Sequence, residues 1–415
     1  RAPPVRPRNE GMTMRKTFAP AVVTVLLALS SAASAAGGAL PAAKPETVGM
    51  SSAQLALLDG LIETAVARRD FPGAVLVVAR KGKIVYRKAF GLAQTVPEPR
   101  PLTADMIFDQ ASVTKPVATA TAVMLLVERG RIRLWDKVKT YVPSFTTWYG
   151  EKGLPGEDAR LFHLLTHTSG LPPYTDAKEV AKALGDPCTT AALAAYIAAI
   201  PKERPVGAAF VYSCLNYITL AHIVETVGGE SLADFTAANI FRPLGMTRTF
   251  FRPPVELLEA CVPTEVVDGR PLRGVVHDPL ARLQAGVSGN AGLFATADDL
   301  AVFAQMLLGG GALGGVRVLA PLTVARMTEI FPPYGAFGRG LGWDLETDYS
   351  TNGGDLFGPR SYGHTGYTGT SVWIDPETAT SVVFLTNRVH PDDKGDIIAL
   401  RSKVANVVAA AVRTP

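Results

Sequence analysis

Residues 112–116 read Ser-Val-Thr-Lys-Pro, and this short stretch gives the first indication of the fold. Proline has no amide hydrogen and fits a helix only in its first turn, so Pro116 predicts a helix from about Ser112 to Arg129. Residues three apart share a helix face, which places the Lys115 amine beside the Ser112 hydroxyl. A lysine whose pKa is lowered by burial can take the proton of that hydroxyl, and the helix N-terminus favours a developing oxyanion. Taken alone, the same residues favour an ordinary helix with a serine cap and an exposed lysine.

Two further motifs follow in the chain. Tyr212-Ser213-Cys214 precedes an apolar helical pattern, and His364-Thr365-Gly366 precedes a predicted strand at residues 370–374. Between Ser112 and Tyr212, residues 164–172 read Leu-Leu-Thr-His-Thr-Ser-Gly-Leu-Pro. In this order the set resembles the SxxK, YxN and (K/H)TG motifs of the penicillin-recognising serine hydrolases, which include class C β-lactamases, DD-peptidases and related esterases. The SVTK and HTG forms look most similar to the DD-carboxypeptidase type.

The resemblance extends beyond the three motifs over nearly the whole chain that follows residue 35. It includes longer stretches at residues 276–279 (VHDP), 286–299 (GVSGNAGLFATADD), 363–376 (GHTGYTGTSVWIDP) and 386–391 (TNRVHP). These look like a branch of exported or cell-wall-linked members of the family.

The resemblance implies a fold and a set of catalytic roles. The implied fold is α+β, of the β-lactamase/penicillin-binding-protein type, with an antiparallel sheet flanked by helices and an inserted all-helical domain. Ser112 is implied to be the acylated nucleophile. Lys115 and Tyr212 are implied to share the proton transfers, with Tyr212 taking the hydroxyl proton and delivering it to the leaving group.

The resemblance also implies which residues bind the substrate. His364, Thr365 and Gly366 would line the site, and the first two would meet a substrate carboxylate. The backbone N–H groups of Ser112 and Tyr367 would form the oxyanion hole. No metal and no cofactor is expected.

Cys214 departs from the second motif of the family, whose third residue is normally Asn. In the family that Asn donates to the amide carbonyl of the substrate and helps to hold the lysine. Cys214 would take this substrate-binding position with a poor donor, which puts the recognition of amides and β-lactams in doubt more than acylation itself. A small, buried, apolar role for Cys214 is favoured over a redox or nucleophilic role. Asn216 lies two residues on, at a spacing that does not obviously face the site.

Strand patterns occur at both ends of the sequence, and helical patterns fill the middle. Residues 73–80 and 83–90 predict two strands joined by a two-residue turn at Lys81-Gly82. Residues 370–374 and 381–386 predict two more. Helical patterns are found at residues 51–70, 190–200, 215–227, 231–241, 298–308 and 396–412.

An antiparallel sheet built from both ends of the chain accounts for this order. The terminal helices would back the sheet, and a helical domain would be inserted between its halves. The predicted division is a leader at residues 1–35, a sheet domain at residues 36–115 and 335–415, and a helical domain at residues 116–334.

Several other patterns point to different chemistry and are weaker. Ser288-Gly289-Asn290 matches the SxN motif of class A β-lactamases but is interpreted as a structural glycine loop. His163 and His167 have the spacing of zinc ligands on one helix, but no third ligand is evident. His277-Asp278 could suggest a Ser/His/Asp triad, although SxxK already supplies a base. No G-x-S-x-G stretch occurs, which excludes the α/β-hydrolase nucleophile elbow.

The composition is that of a globular protein. Apolar residues make up 47% and charged residues 19% of the 415 residues, which excludes intrinsic disorder. The net charge of +4 is scattered along the chain, so nucleic acid is not an expected partner. The three cysteines leave at least one thiol unpaired.

The first 35 residues have the pattern of a secretory signal peptide. Arg15 and Lys16 precede an apolar run at residues 19–29, and the small residues that follow predict cleavage after Ala35. The apolar run is too short to span a bilayer. The sequence therefore predicts a periplasmic or secreted protein without a membrane span.

The favoured function is that of an exported serine hydrolase, most similar to DD-carboxypeptidases that act on peptidoglycan peptides. A carboxylesterase is the next interpretation, because Cys214 weakens the motif that binds amides. A β-lactamase and a penicillin-binding sensor without turnover remain as alternatives. The substrate is a small molecule or a peptidoglycan peptide, and the oligomeric state stays open.

Overall fold

A six-stranded antiparallel sheet joins the two ends of the chain. The computed structural model describes Ala2, Pro4 and residues 38–150, 152–331 and 337–414. The strand order is β11-β12-β13-β1-β2-β3, so the last three strands of the chain pair with the first three through β13 and β1. Val77 of β1 lies opposite Val383 of β13 in the register. The α+β fold with an antiparallel sheet flanked by helices is confirmed, whereas the predicted signal peptide and its cleavage site lie outside the described residues.

The strands range from two to twelve residues. They are β1 (Gly73–Arg80), β2 (Lys83–Gln94), β3 (Arg100–Pro101), β4 (Phe108–Asp109), β5 (Phe250–Phe251), β6 (Val266–Val267), β7 (Arg270–Pro271), β8 (Leu293–Ala295), β9 (Ala312–Leu313), β10 (Val316–Arg317), β11 (Tyr362–Thr365), β12 (Thr370–Asp375) and β13 (Thr380–Thr386).

The α-helices lie at both ends of the chain and through its middle. They are α1 (Ser52–Leu55), α2 (Leu57–Ala67), α3 (Thr121–Glu128), α4 (Leu161–Leu165), α5 (Ala177–Leu184), α6 (Thr190–Ala199), α7 (Cys214–Gly228), α8 (Leu232–Thr236), α9 (Pro279–Leu283), α10 (Ala297–Leu308), α11 (Pro321–Met327) and α12 (Ile398–Ala411).

The turn between β1 and β2 has the predicted geometry. Lys81 and Gly82 have φ values of +48° and +77°. Two successive residues with positive φ match the right-handed twist of the flanking strands, which is why a glycine stands at the second position. The two-residue hairpin is therefore confirmed.

The central strand β1 is buried on both faces. Val75 and Val77 join the core that contains α10, whereas Leu76 and Val78 join a second core with α2 and α12. Successive side chains of a strand point to opposite faces, so a strand covered on both sides needs a continuous apolar run. The sheet is thus a middle layer between the terminal helices and the rest of the chain.

The part of the chain predicted to be a helical domain, residues 116–334, is mainly helical, but it also contains short strands. β8 of this part is the middle strand of a three-stranded sheet and pairs with β4 and β5. Helix α10, which the predicted division places in the helical domain, packs against β1 and β13. The predicted boundaries at residues 115/116 and 334/335 stay a prediction.

Candidate active site

The segment that carries Ser112 changes its helical geometry twice. Ala111–Val113 forms a 3-10 turn, Lys115–Ala120 forms a wider π-helical turn, and α3 follows. The predicted start near Ser112 and the proline in the first turn of the second piece agree with this arrangement. Ala111 has a φ of +45°, a region that residues with a Cβ seldom adopt, so the residue before the serine is strained.

Lys115 is fully buried beside Ser112. Its Nζ donates to Ser112 Oγ at 2.9 Å, to the Asn290 carbonyl at 2.9 Å and to Cys214 Sγ at 3.5 Å. An ammonium has three donors and no acceptor, so three acceptors around Nζ match its charged form. The structure thus brings the serine and the lysine together as their spacing predicts.

The pKa of Lys115 differs from the sequence-based expectation. Burial alone would lower it, but the interactions with Cys214 and Tyr212 outweigh burial and leave the pKa of Lys115 above its ordinary value. The sequence made proton acceptance by Lys115 conditional on a pKa lowered by burial, and the neighbouring groups offset that effect. In its charged form Lys115 orients the Ser112 hydroxyl and balances charge beside it.

Tyr212 lies directly before α7 and packs against Lys115. The Lys115 Nζ lies 5.1 Å from the centroid of the Tyr212 ring. The ring of His167 stacks on the ring of Tyr212, with 4.4 Å between the two ring centroids. His167 Nδ1 accepts the N–H of Ser213 at 3.0 Å, which ties the ring to the segment that carries Tyr212. His167 thus orients the tyrosine.

His163 and His167 each make other contacts in the fold. Burial, Arg339 and Lys115 hold the pKa of His167 well below its usual range, so its imidazole is neutral. His163 Nδ1 accepts the N–H of Arg160 at 2.9 Å. Within the described part of the chain, no group of three or more His, Cys, Asp or Glu side chains could hold a metal ion.

Cys214 begins α7 and faces the lysine. Burial raises the pKa of its thiol even though Lys115 is close, so the thiol is protonated and a poor nucleophile. Asn216 cannot replace it, because its Oδ1 accepts the Ser169 hydroxyl at 2.6 Å inside the fold. All three cysteines, including Cys188 and Cys261, are free thiols.

His364, Thr365 and Gly366 lie along and just after β11, at the edge of the cleft. His364 Nδ1 lies 2.8 Å from the Thr365 carbonyl, which can only accept, so Nδ1 carries the hydrogen and Nε2 a lone pair. Burial, Arg339 and Lys115 hold the pKa of His364 well below its ordinary value. A Cβ on Gly366 would meet Thr370 Oγ1 at 2.1 Å, which explains the glycine.

The cleft in front of Ser112 has a volume of about 510 Å³. Sequence reasoning missed several of its lining residues, because isolated charged and polar residues between glycines form no periodic pattern. These are Arg339, Asp344, Tyr349, Asn352, Arg388 and Arg401.

Arg339 is the most unusual of these residues, since it is only 2% exposed. Its Nη1 pairs with Asp344 Oδ1 at 3.1 Å, and its guanidinium lies 5.5 Å from the centroid of the Phe210 ring. Its Nε and Nη2 atoms have no hydrogen-bond partner within the described residues. Two buried guanidinium nitrogens beside the cleft are therefore without a hydrogen-bond partner among the described residues.

Comparison with known proteins agrees with this geometry. A family model described as Beta-lactamase matches residues 58–405. The chain belongs to the beta-lactamase family. It is therefore a serine hydrolase of this family, built on the fold that β-lactamases share with penicillin-binding proteins.

Individual relatives of this beta-lactamase-family chain carry several names. A "Putative D-alanyl-D-alanine carboxypeptidase" of Salmonella schwarzengrund is 34% identical over 399 aligned residues, covering 89% of this chain and 91% of that protein. Among solved structures, "EstCE1, a hydrolase with promiscuous acyltransferase activity" has a TM-score of 0.69 at 24% identity, covering 86% of this chain and 99% of that one. An octameric penicillin-binding protein homologue from Pyrococcus abyssi has a TM-score of 0.66 at 25% identity, covering 86% and 77%.

The Ser288-Gly289-Asn290 segment is a structural loop in this family member, but it touches Lys115. The Ser288 hydroxyl donates to Asn290 Oδ1 at 2.7 Å, and the Asn290 backbone carbonyl accepts from Lys115 Nζ at 2.9 Å. A Cβ on Gly289 would lie 2.0 Å from the Tyr217 carbonyl, so only glycine lets the loop approach this closely. The loop holds the lysine through its backbone.

His277 and Asp278 do not form a triad with Ser112 in this beta-lactamase-family site. Asp278 caps α9 by accepting the Ala281 N–H at 2.8 Å and also accepts the Tyr174 hydroxyl at 3.1 Å. The His277 ring stacks on Tyr367 with centroids 5.4 Å apart. Both residues have structural contacts that account for them.

The predicted oxyanion hole of the family lies at two turns. Ser112 is the second residue of its 3-10 turn, where an N–H has no partner inside the helix. Tyr367 follows β11; its carbonyl accepts from Arg388 Nε at 2.7 Å and its hydroxyl donates to Asp393 at 2.6 Å. These contacts fix Tyr367 without using its N–H, and the oxyanion hole itself stays a prediction.

One helical stretch in the described residues, Ala111–Glu128, is long and apolar enough to be a candidate membrane span. It is 83% buried inside the fold, and it carries Ser112 and Lys115. Its apolar character is accounted for by its place in the core.

Proposed function

We propose that this serine hydrolase is an exported, DD-carboxypeptidase-like enzyme that removes the C-terminal residue of peptidoglycan peptides through an acyl-enzyme on Ser112. The observation that carries this proposal is the buried guanidinium of Arg339 in the cleft, with two nitrogens left without partners among the described residues. A free carboxylate can accept from two guanidinium nitrogens at once, which gives both strength and orientation. The printed name of the Salmonella relative supports the same class of substrate.

The acylation step uses Ser112, Lys115 and Tyr212. Ser112 Oγ attacks the carbonyl carbon of the penultimate residue, and its proton passes to Tyr212 reacting as the phenolate. The Lys115 ammonium, which has no vacant lone pair of its own, balances the charge of that phenolate. The Lys115 charge, 2.9 Å from Ser112 Oγ, stabilises the oxygen as it loses that proton. The oxyanion that forms accepts from the N–H groups of Ser112 and Tyr367.

The leaving group then departs from the tetrahedral intermediate. Tyr212 returns the proton to the amide nitrogen, the C–N bond breaks, and the terminal amino acid leaves with its carboxylate. Water attacks the Ser112 ester in the second half of the reaction, and Tyr212 takes the proton of that water. Tyr212 then returns this proton to Ser112 Oγ as the bond between Oγ and the acyl carbon breaks.

The carboxylate of the leaving residue lies against Arg339 and Thr365 in this proposal. His364 was expected to meet that carboxylate, but its Nε2 has a lone pair and no hydrogen to donate. A neutral imidazole in this state would repel a carboxylate oxygen at hydrogen-bond distance. Arg339, which pairs with Asp344 through Nη1, would supply through Nε and Nη2 the N–H donors that His364 Nε2 lacks.

A carboxylesterase is a second candidate, and Cys214 favours it. The thiol stands where the family places an amide donor, and it accepts from Lys115 at 3.5 Å. An ester carbonyl is activated enough to acylate Ser112 without that donor. The likeness to EstCE1 is compatible with this candidate only at the level of the fold.

The test uses matched peptides and the purified enzyme. A diacetyl-Lys-D-Ala-D-Ala peptide with a free C-terminus is compared with its C-terminal amide, and released D-alanine or D-alaninamide is measured. We expect the free acid to be cleaved more than tenfold faster, since a charge-assisted pair is worth about 1.5–3 kcal/mol. Mass spectrometry of muropeptides after incubation extends the measurement to natural substrates, and Ser112→Ala is the inactive control.

The other possible outcomes of this test would each indicate a different function. Turnover of p-nitrophenyl butyrate without release of D-alanine would overturn the peptidase in favour of the carboxylesterase. Fast hydrolysis of nitrocefin would favour a β-lactamase. Stable labelling by penicillin with no turnover of any substrate would favour a sensor.

Export is proposed from the signal-peptide pattern of residues 1–35. Expression in a Gram-negative host followed by cell fractionation should place the protein in the periplasm or the medium, with a mature N-terminus at residue 36. Recovery of the uncut chain in the cytoplasm would overturn this part of the proposal.

A further inference from the structure

Asp109 lies three residues before Ser112 and is 2% exposed. Its Oδ1 accepts the N–H of Ala111 at 2.8 Å, and its Oδ2 accepts the N–H of His277 at 2.7 Å. Its backbone carbonyl accepts the Thr368 hydroxyl at 2.7 Å. The three donors belong to three separate segments of the chain, all of which border the active site.

The first contact holds a strained residue. Ala111 has a φ of +45°, and a carboxylate two residues earlier stabilises such a turn by accepting its N–H. The peptide unit between Ala111 and Ser112 carries the Ser112 N–H. The orientation of that N–H therefore depends on the contact made by Asp109.

The other two contacts lead to Tyr367. His277, held by Asp109 Oδ2, stacks on the Tyr367 ring with an interplanar angle of 22°. Thr368, held by the Asp109 carbonyl, is the next residue after Tyr367. One aspartate is thus linked to the turn that carries each of the two N–H groups.

We propose that Asp109 is a positioning residue that holds the N–H groups of Ser112 and Tyr367 at the spacing of the oxyanion hole. The inference rests on the oxyanion hole and acyl-enzyme of the proposed function, but on no particular substrate. The two N–H groups that donate to the Asp109 side chain, those of Ala111 and His277, need two acceptor oxygens. A carboxylate has both, whereas a carboxamide has one oxygen and an NH₂ group that would face the second donor.

The experiment compares Asp109→Asn with Asp299→Asn in the full chain. Asp299 is a matched control: its Oδ2 accepts the Arg248 N–H at 2.9 Å and the Thr249 hydroxyl at 2.8 Å, and it does not line the cleft. The readouts are kcat and KM for p-nitrophenyl butyrate and the rate of phosphonylation of Ser112 by a fluorophosphonate. The phosphoryl oxygen of that probe occupies the same oxyanion hole.

Asp109→Asn should lower kcat and the phosphonylation rate by roughly tenfold to a hundredfold, with KM changed by less than about threefold. Asp299→Asn, which also removes a hydrogen-bonded carboxylate from the interior, should change kcat and phosphonylation by less than about twofold. Equal rates for the two variants would overturn the inference, and so would a loss confined to KM.

A second substitution separates positioning from general loss of stability. Ala111→Gly, made in the Asp109→Asn protein, should recover part of the phosphonylation rate, because glycine adopts a positive φ without strain. No recovery would contradict the proposed role.

If Asp109→Asn does not fold, Thr368→Val provides a second test, because it removes one of the three contacts. It should lower kcat by a smaller factor and leave KM unchanged. An unchanged kcat would then overturn the inference. An unaltered chain that resists phosphonylation would instead refute the proposed function.

Discussion

Cys214 is the residue at which this site differs most from the motif it resembles, and it gives the first prediction. Cys214→Asn should place an amide donor beside Lys115 and the substrate carbonyl. The ratio of D-alanine release to p-nitrophenyl butyrate turnover should rise about fivefold, the value of one recovered hydrogen bond of about 1 kcal/mol. The ratio is measured in the parent and the variant. An unchanged ratio would mean that the side chain at position 214 does not reach the substrate.

Arg339 gives a second prediction at the same scale. Arg339→Lys keeps the positive charge but loses the planar pair of donors. We expect KM for the carboxylate-terminated peptide to rise by about tenfold or more, while KM for the neutral ester stays within about twofold. Arg360→Lys, at a side chain that is 71% exposed, is the control and should change neither value. A rise in both KM values would show that Arg339 supports the fold rather than the carboxylate.

A contact between two site residues could be predicted where the residues are only a few positions apart on one helical segment. Ser112 and Lys115 are three apart on one helical segment, so their contact follows from local geometry. Asp109 is equally close to Ser112 in sequence, but its contacts with His277 and Thr368 are long-range, as is the place of Arg339 in the cleft. Their roles depend on β11, the His277 segment and the cleft, which come together only in the folded chain.

Among the secondary-structure elements, α4 provides a test of pH dependence. Burial, which outweighs the other effects, and the nearby Arg160 hold the pKa of His163 at about 3, below its ordinary value of 6.5. Below pH 6.5 the unfolded chain binds a proton at His163 that the folded chain does not bind. Stability from this residue is therefore fully present above the unfolded pKa and is lost as the pH falls from about 6.5 towards 3.

His163→Gln should remove that dependence. From pH 7.5 to pH 5 the parent should lose about 2 kcal/mol more unfolding free energy than the variant. Urea unfolding of both proteins at the two pH values measures the difference, and any constant cost of the substitution cancels. Equal losses would mean that His163 titrates normally in the folded protein.

The elements themselves were predictable to different degrees. The continuous apolar run of β1 and the Lys81-Gly82 turn determine their structures locally, and both were predicted correctly. The pattern at residues 51–70 predicted one helix, but α1 and α2 are separated at Ala56. The three helical geometries from Ala111 to Glu128 have no signal in the apolar pattern, because they arise from the strained serine turn and the contacts of Lys115.

At the scale of the whole molecule, the sheet makes each end of the chain depend on the other. Val404 and Val408 of α12 are buried in the same core as Leu58 and Ile62 of α2. Each such side chain contributes about 1.5–3 kcal/mol on burial, and a protein of this kind has only about 5–15 kcal/mol of net stability. The order of strands and helices in the sequence was enough to predict this joint sheet.

A chain that ends at residue 396, without α12, should therefore not fold. We expect it to be insoluble or to show no cooperative melting transition, and to resist phosphonylation of Ser112. Leu322→Ser, a change at an apolar residue that is 85% exposed, is the control and should melt like the parent. A soluble truncated protein that still labels at Ser112 would contradict the prediction.

Helix α12 also sets a distance that is useful for handling the enzyme. Ile398 at its start lines the cleft, while Val412 just past its end pairs with Met50. A helix of 14 residues is about 21 Å long at 1.5 Å per residue. A dye, a bead or a surface linker attached near Val412 would therefore sit about two nanometres from the catalytic opening, which allows immobilisation without blocking the entry of substrate.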